Sequence, residues 1–151
     1  MTTDYEKSIQ IVKNLFSAFN RKDFPAALSC LDGNIDWQAP ATGTQVKEIP
    51  WSKPRHGVNE VSAFFKEVSD KLSLDEINYN TLVADGDCVV AEGSMSGCVC
   101  ETGCYYHTDW AMVFTLRNGK ITRFRNYYDT ANIAAAFHAK GKACQRLPKA
   151  A

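Results

Sequence analysis

Residues 104–128 read CYYHTDWAMVFTLRNGKITRFRNYY, and this run decides the architecture of the chain. Two stretches of strand-like alternation flank Asn118-Gly119, a dipeptide that favours a two-residue hairpin because both positions tolerate positive φ. In the first stretch Tyr105, His107, Asp109, Ala111 and Val113 share one side, and Tyr106, Thr108, Trp110, Met112 and Phe114 share the other. Neither side is polar throughout. One face therefore packs on the rest of the chain, and the other needs a second cover. A homodimer built sheet to sheet supplies that cover most simply.

Working outward, 74–84 ends in Asp85-Gly86 and 88–100 ends in Glu101-Thr102-Gly103, both hairpin signals. With 104–116 and 120–128 they make a meander of four antiparallel strands. The N-terminal half is helical in pattern. Thr3 and Glu6 form a capping box before Ile9, Val12, Phe16 and Phe19, which predicts a helix over 4–20. Asp23 caps a shorter helix with Pro25 in its first turn, carrying Ala27, Leu28 and Leu31 until Asp32-Gly33 stops it. A short strand over 35–38 follows, then a connection over 39–57 with three prolines, of a length common in functional lids and rims. Val61, Phe64, Phe65, Val68 and Leu72 predict a third helix over 58–71, and 131–138 a terminal one. Helices placed before an antiparallel meander imply an α+β fold with helices on one face of the sheet.

The chain has 151 residues, enough for one domain with a real core given 45% hydrophobic content. We expect a single domain over 1–138 and a loose tail over 139–151, where apolar periodicity is lost. Lys+Arg and Asp+Glu both number 17, so there is no basic field for nucleic acid and no polybasic membrane face. The partner expected is a small apolar or mildly polar molecule, or a second copy. No export signal and no apolar run of membrane-spanning length is visible, so six cysteines read as reduced thiols of a cytoplasmic protein.

The runs Val113-Phe114-Thr115-Leu116, Asn118-Gly119-Lys120-Ile121, Arg123-Phe124-Arg125 and Tyr128-Asp129-Thr130-Ala131 resemble the end of SnoaL-like, ketosteroid-isomerase-related proteins. Ile49-Pro50-Trp51, Arg55-His56-Gly57 and Val61-Ser62-Ala63-Phe64-Phe65 resemble the middle of the same family, and the likeness extends from about Ser8 to Phe137. The resemblance implies the fold of the nuclear-transport-factor-2-like (NTF2-like) superfamily: a curved sheet wrapped round the helices into a cone with an apolar pocket. Members include ketosteroid isomerases, epoxide hydrolases and polyketide cyclases, so the reaction must be argued from the site.

Asp109 stands first among the catalytic candidates: a mid-strand carboxylate among apolar neighbours is costly to bury and suits acid–base work if its pKa is raised. His107 shares its face. Pairing carried regularly out from the Asn118-Gly119 turn sets Asp109 opposite Tyr128 and diagonal to Asn126, completing a candidate group of four. By resemblance, epoxide-hydrolase-like members have an aspartate where Asn126 stands, and an amide exchanges no proton at neutral pH. The resemblance also puts the isomerases' proton-abstracting aspartate where this chain has Ala39. Trp37, Trp51, His56, Phe64, Tyr79 and Phe124 are expected to line the pocket. Cys98, Cys100 and Cys104 lack the second knuckle pair of a zinc site, so the expectation is a hairpin that is reduced or holds one cross-strand disulfide. No phosphate-binding glycine loop or dinucleotide fingerprint is present, and neither a cofactor nor a metal is expected. An acid–base enzyme, a carrier of an apolar metabolite and a dimeric interaction module are the functional readings.

Overall fold

Thr3 begins the first helix as its sequence demands. Its Oγ1 accepts from Glu6 N at 3.2 Å while Glu6 Oε2 accepts from Thr3 N at 2.8 Å, so two otherwise orphaned amides are paired. In this computed structural model, which describes residues 3–138, the elements run α1 (Asp4–Asn20), α2 (Phe24–Ser29), β1 (Leu31–Gln38), β2 (Arg55–His56) and α3 (Val58–Lys71). They continue as β3 (Leu72–Leu74), β4 (Asn78–Asp85), β5 (Cys88–Val99), β6 (Tyr105–Arg117), β7 (Lys120–Tyr128) and α4 (Thr130–His138). The expected tail over 139–151 lies outside the described residues.

The fold is the expected α+β cone: one strongly curved sheet closes round the N-terminal helices, with the order β2-β1-β7-β6-β5-β3 and β4 also paired to β5. α1 buries Val12, Leu15 and Phe16 towards β4, β5 and β6, and α3 buries Val61, Phe64, Phe65 and Val68 towards β1, β2 and β3. Aromatic rings knit this layer, with Phe16 stacked on Trp110 at 5.7 Å and edge-on to Phe114 at 6.0 Å. Asn20 ties the end of α1 to the sheet by donating to Ile77 O (3.0 Å) and accepting from Ile77 N (2.9 Å).

Four features differ from the sequence reading. Leu31, expected in the second helix, is the first residue of β1, which pairs parallel with β7, so the sheet is mixed rather than a pure antiparallel meander. Arg55 and His56 form a short extra strand against Trp37 and Asp36. The expected strand over 74–84 is broken in two, β3 on the far end of β5 and β4 along its first part. Asp75 marks the break: its amide donates to Ser96 O at 3.0 Å and its carboxylate accepts from Ser96 Oγ at 3.2 Å.

The fourth difference is a β-bulge. Asn118 and Gly119 take φ of 52° and 77°, the mirror-type hairpin turn, and Arg117 and Leu116 pair with Lys120 and Ile121 as expected. Beyond that, Thr115 pairs with Arg123, leaving Thr122 as an extra residue whose Oγ1 donates to Thr115 O at 3.2 Å. From there the partner of Tyr128 is Trp110, that of Asn126 is Met112, and that of Phe124 is Phe114. A one-residue slip exchanges the faces of a strand. The residues facing the helices beside Phe124, Asn126 and Tyr128 are therefore Trp110, Met112 and Phe114, not Asp109 and Ala111.

The break between β3 and β4 depends on close backbone approach at Gly97, where an added Cβ would overlap the Ser73 carbonyl oxygen and lie 2.8 Å from the Tyr106 hydroxyl. Gly97→Ala is expected to destabilise the fold by about 3 kcal/mol. Gly33→Ala, whose Cβ meets nothing within 4 Å, should change stability by no more than about 0.5 kcal/mol. Urea unfolding of the two variants checks this; equal midpoints would contradict it.

Candidate functional site

The alternation of β6 and β7, corrected by the bulge, builds one wall of an internal cavity from Met112, Phe114, Phe124, Asn126 and Tyr128. Trp37 and Ala39 on and just past β1 add a second wall, α1 and α3 the floor, and Trp51 from the long loop a cover. The cavity measures about 90 Å³. Its aromatic surface is ordered by stacking: Trp37 stacks on Phe124 at 3.9 Å with the ring planes 28° apart, and Phe64 stands edge-on to Trp37 at 5.5 Å.

The loop that carries Trp51 is packed rather than loose. Ser52 Oγ accepts from Val46 N at 2.7 Å and donates to Val46 O at 3.0 Å, Ala41 N donates to Asn126 O at 2.8 Å, and Ile49 is fully buried. Arg55 holds its far end. The buried guanidinium donates to Glu67 on α3 (2.7 Å and 3.3 Å) and to Trp51 O (3.3 Å), and lies 5.8 Å above the Phe64 ring. On the other side α4 brings Phe137 to within 5.9 Å of Trp51, while Thr102 Oγ1 donates to Ala136 O at 2.7 Å to fix that helix.

Polar groups in the lining are few. Trp51 Nε1 donates to the Tyr128 hydroxyl at 3.3 Å. Burial pushes the Tyr128 hydroxyl well above its ordinary pKa, against the opposing effect of the Trp51 bond, so it keeps its proton at neutral pH. Asn126 is 6% exposed and its Oδ1 has no hydrogen-bond partner; Trp37 Nε1 is likewise buried and unpaired. Among the described residues, the lining contains no Asp, Glu, His, Lys or Arg.

Of the residues singled out from sequence, Asn126 and Tyr128 meet in this cavity with Trp37, Trp51, Phe64 and Phe124. His107 and Asp109 do not. They are exposed on the outer face of the sheet, where Asp109 borders a shallow polar depression with Asn80, Glu92 and Tyr127. Because Thr122 shifts the β6–β7 register, Tyr128 opposes Trp110 instead of Asp109, so the group of four is split across the sheet. His56 is exposed on β2 beside Asp36, outside the cavity. Tyr79 packs behind the lining, its ring 5.2 Å from Phe16.

The cysteine hairpin also differs from expectation. Cys30, Cys88, Cys98 and Cys100 are free thiols, whereas Cys104 is disulfide-bonded. No cross-strand bridge forms within the hairpin, because Tyr105 stands opposite Cys98 and the Cys104 carbonyl accepts from Val99 N. Six reduced thiols is therefore not the observed state. No described helix is long and apolar enough to cross a membrane.

Sequence reasoning missed Arg55 and Arg125 as buried cations, and Met95 and Met112 as lining. Arg125 donates from Nη1 and Nη2 to the Asp36 carboxylate at 3.1 Å and 2.9 Å, and from Nη1 to the carbonyls of Asp36 and Phe124. It clamps β1 to β7 just outside the cavity wall. A charged residue between the inward-facing Phe124 and Asn126 was the available signal, since a guanidinium beside an apolar lining needs a carboxylate partner.

Residues 12–124 match the SnoaL-like domain family. The uncharacterised protein YesE of Bacillus subtilis strain 168 is 23% identical over 141 residues, covering 91% of each chain. An NTF2-like protein of Burkholderia xenovorans LB400 superposes with a TM-score of 0.75 at 27% identity, over 91% of this chain and 99% of that one. A limonene-epoxide-hydrolase-like epoxide hydrolase of Mycobacterium tuberculosis shares the fold at 15% identity, with a TM-score of 0.71 over 90% and 92% of the two chains. Other structural neighbours are described as polyketide cyclases or an isomerase.

The Asp36–Arg125 clamp makes a pH prediction. Hydrogen bonding from Arg125 holds the Asp36 carboxyl below its ordinary pKa, assisted by the charges of Arg125, Arg123 and His56 and opposed by partial burial. A depressed carboxyl contributes stability that is full above its unfolded value of about 3.9 and is lost as pH falls through the folded value. Asp36→Asn should therefore lower stability at pH 7 and flatten its fall between about pH 4 and pH 2 relative to wild type. Urea midpoints across that range measure it, and parallel curves for the two proteins would refute the clamp.

Proposed function

The chain belongs to the SnoaL-like family, and from that premise we propose that it holds a small, mostly apolar molecule in the cavity under its sheet, oriented by Asn126 and Tyr128. The lining carries this reading. It is aromatic and aliphatic throughout except for those two side chains and the tryptophan indoles, the composition of a site that takes an apolar body and orients it by a few polar contacts. Tyr128 acts as a hydrogen-bond donor, because its proton is retained and its oxygen already accepts from Trp51.

An acid–base enzyme of isomerase, epoxide-hydrolase or polyketide-cyclase type is the second reading, drawn from the names of the structural neighbours. General-base chemistry inside the cavity finds no group among the described residues, since none of those in the lining is a carboxylate, histidine or lysine. Asp109 enters this reading only for a substrate bound at the outer face. We favour binding over turnover for that reason.

A mixed library of epoxides, enones, ketones and alcohols, incubated with the protein and read by native mass spectrometry, tests the proposal. A retained compound should survive Asp109→Asn unchanged and lose about tenfold in affinity in Tyr128→Phe, the worth of one buried hydrogen bond. Consumption of a compound by wild type but not by Asp109→Asn would establish the enzyme instead.

The outer face of the sheet presents Val90, Ala111, Val113 and the half-exposed Tyr127 in neighbouring pairs across β5, β6 and β7. A second copy of the chain is the proposed cover. Light scattering should then give twice the 16.8 kDa chain mass, and Tyr127→Lys should return the single-chain mass; a wild-type monomer would overturn this.

A further inference from the structure

The cavity leaves one buried acceptor unanswered. Asn126 Oδ1 sits in the wall, buried and without a partner, and an amide oxygen unpaired in apolar surroundings is unfavourable. A ketone, an ether or an epoxide cannot relieve it, because none of them brings a proton. Resting on the reading of the cavity as a ligand site, we propose that its ligand is a neutral hydroxyl compound, an alcohol, enol or phenol, whose O–H donates to Asn126 Oδ1.

The other polar atoms of the wall complement the same group. The Tyr128 hydroxyl accepts from Trp51 Nε1 and donates to nothing among the described residues, so its proton is available to a ligand oxygen. Trp37 Nε1 is a second buried donor without an acceptor. A hydroxyl brings both the proton that Asn126 lacks and the lone pairs that the donors lack. Anions are disfavoured, since among the described residues no cation stands in the lining to offset their desolvation: Arg55 is paired with Glu67 and Arg125 with Asp36.

Size and shape narrow the class further. The cavity of about 90 Å³ is smaller than the roughly 150 Å³ that takes up benzene in an engineered protein. A single small ring is the upper limit, and it requires Met95 and Met112, the adaptable side chains of the wall, to give way. The stacked Trp37–Phe124 pair presents ring surface that favours a flat body.

Calorimetric titration with size-matched probes tests the assignment: cyclohexanol against cyclohexanone, phenol against toluene, and benzoate as the anion. Wild type should bind cyclohexanol about tenfold more tightly than cyclohexanone, as expected when a buried acceptor is satisfied in one complex only. Benzoate should not bind. In Asn126→Leu the alcohol preference should vanish and toluene binding should persist, which separates loss of the acceptor from loss of the cavity. If that variant fails to fold, the wild-type pair decides alone. Equal binding of alcohol and ketone overturns the proposal, and a ketone preference overturns it by showing that Asn126 presents its NH₂ end. Binding of none of the neutral probes overturns the cavity reading itself, and this inference with it.

Discussion

One additional residue in β7 governs what the interior of this protein can be. With Thr122 bulged out, the apolar members of β6 and the alternate residues of β7 beyond the turn share the concave face. Without it, regular pairing would match the charged face of β6 to the wall that now carries Phe124, Asn126 and Tyr128. The extra residue reconciles two demands that a straight hairpin cannot meet: a tight Asn118-Gly119 turn at one end and a continuous apolar lining at the other.

The charges are arranged round that lining rather than in it. Arg55 and Arg125 are both buried, yet each spends its guanidinium on a carboxylate and on backbone carbonyls, Arg55 at the long loop and α3, Arg125 at the β1–β7 seam. Both pairs have one partner in reach of water, which limits the desolvation that makes fully buried ion pairs unfavourable. Strong directional bonds thus hold the shell of the cavity, leaving its interior to rings, methionines and a few uncharged polar atoms.

The helices and hairpins were legible in the sequence because local chemistry decides them. The Thr3–Glu6 capping box, the 3.6-residue spacing of Val12, Phe16 and Phe19, and the Asn118-Gly119 turn each act within a few residues. The parallel β1–β7 pairing, the two-residue β2 and the break at Asp75 depend on partners far along the chain, and no local pattern announces them. The site followed the same division. Asn126 and Tyr128 were correctly placed on one face, since alternation along β7 fixes that. Their assignment to Asp109 failed because it counted register outward from the turn across residue 122, and Thr122, a good strand residue, gives no local sign of a bulge.

The aromatic wall has a spectroscopic side as well. All three tryptophans of the chain crowd the cavity: Trp37 and Trp51 line it, and Trp110 stacks on Phe16, which also lines it. Trp37 rests on Phe124 and Trp51 on the Tyr128 hydroxyl. The indole emission of this protein therefore originates within one ring contact of the same small space, and any change in that space is written into its ultraviolet fluorescence without a label.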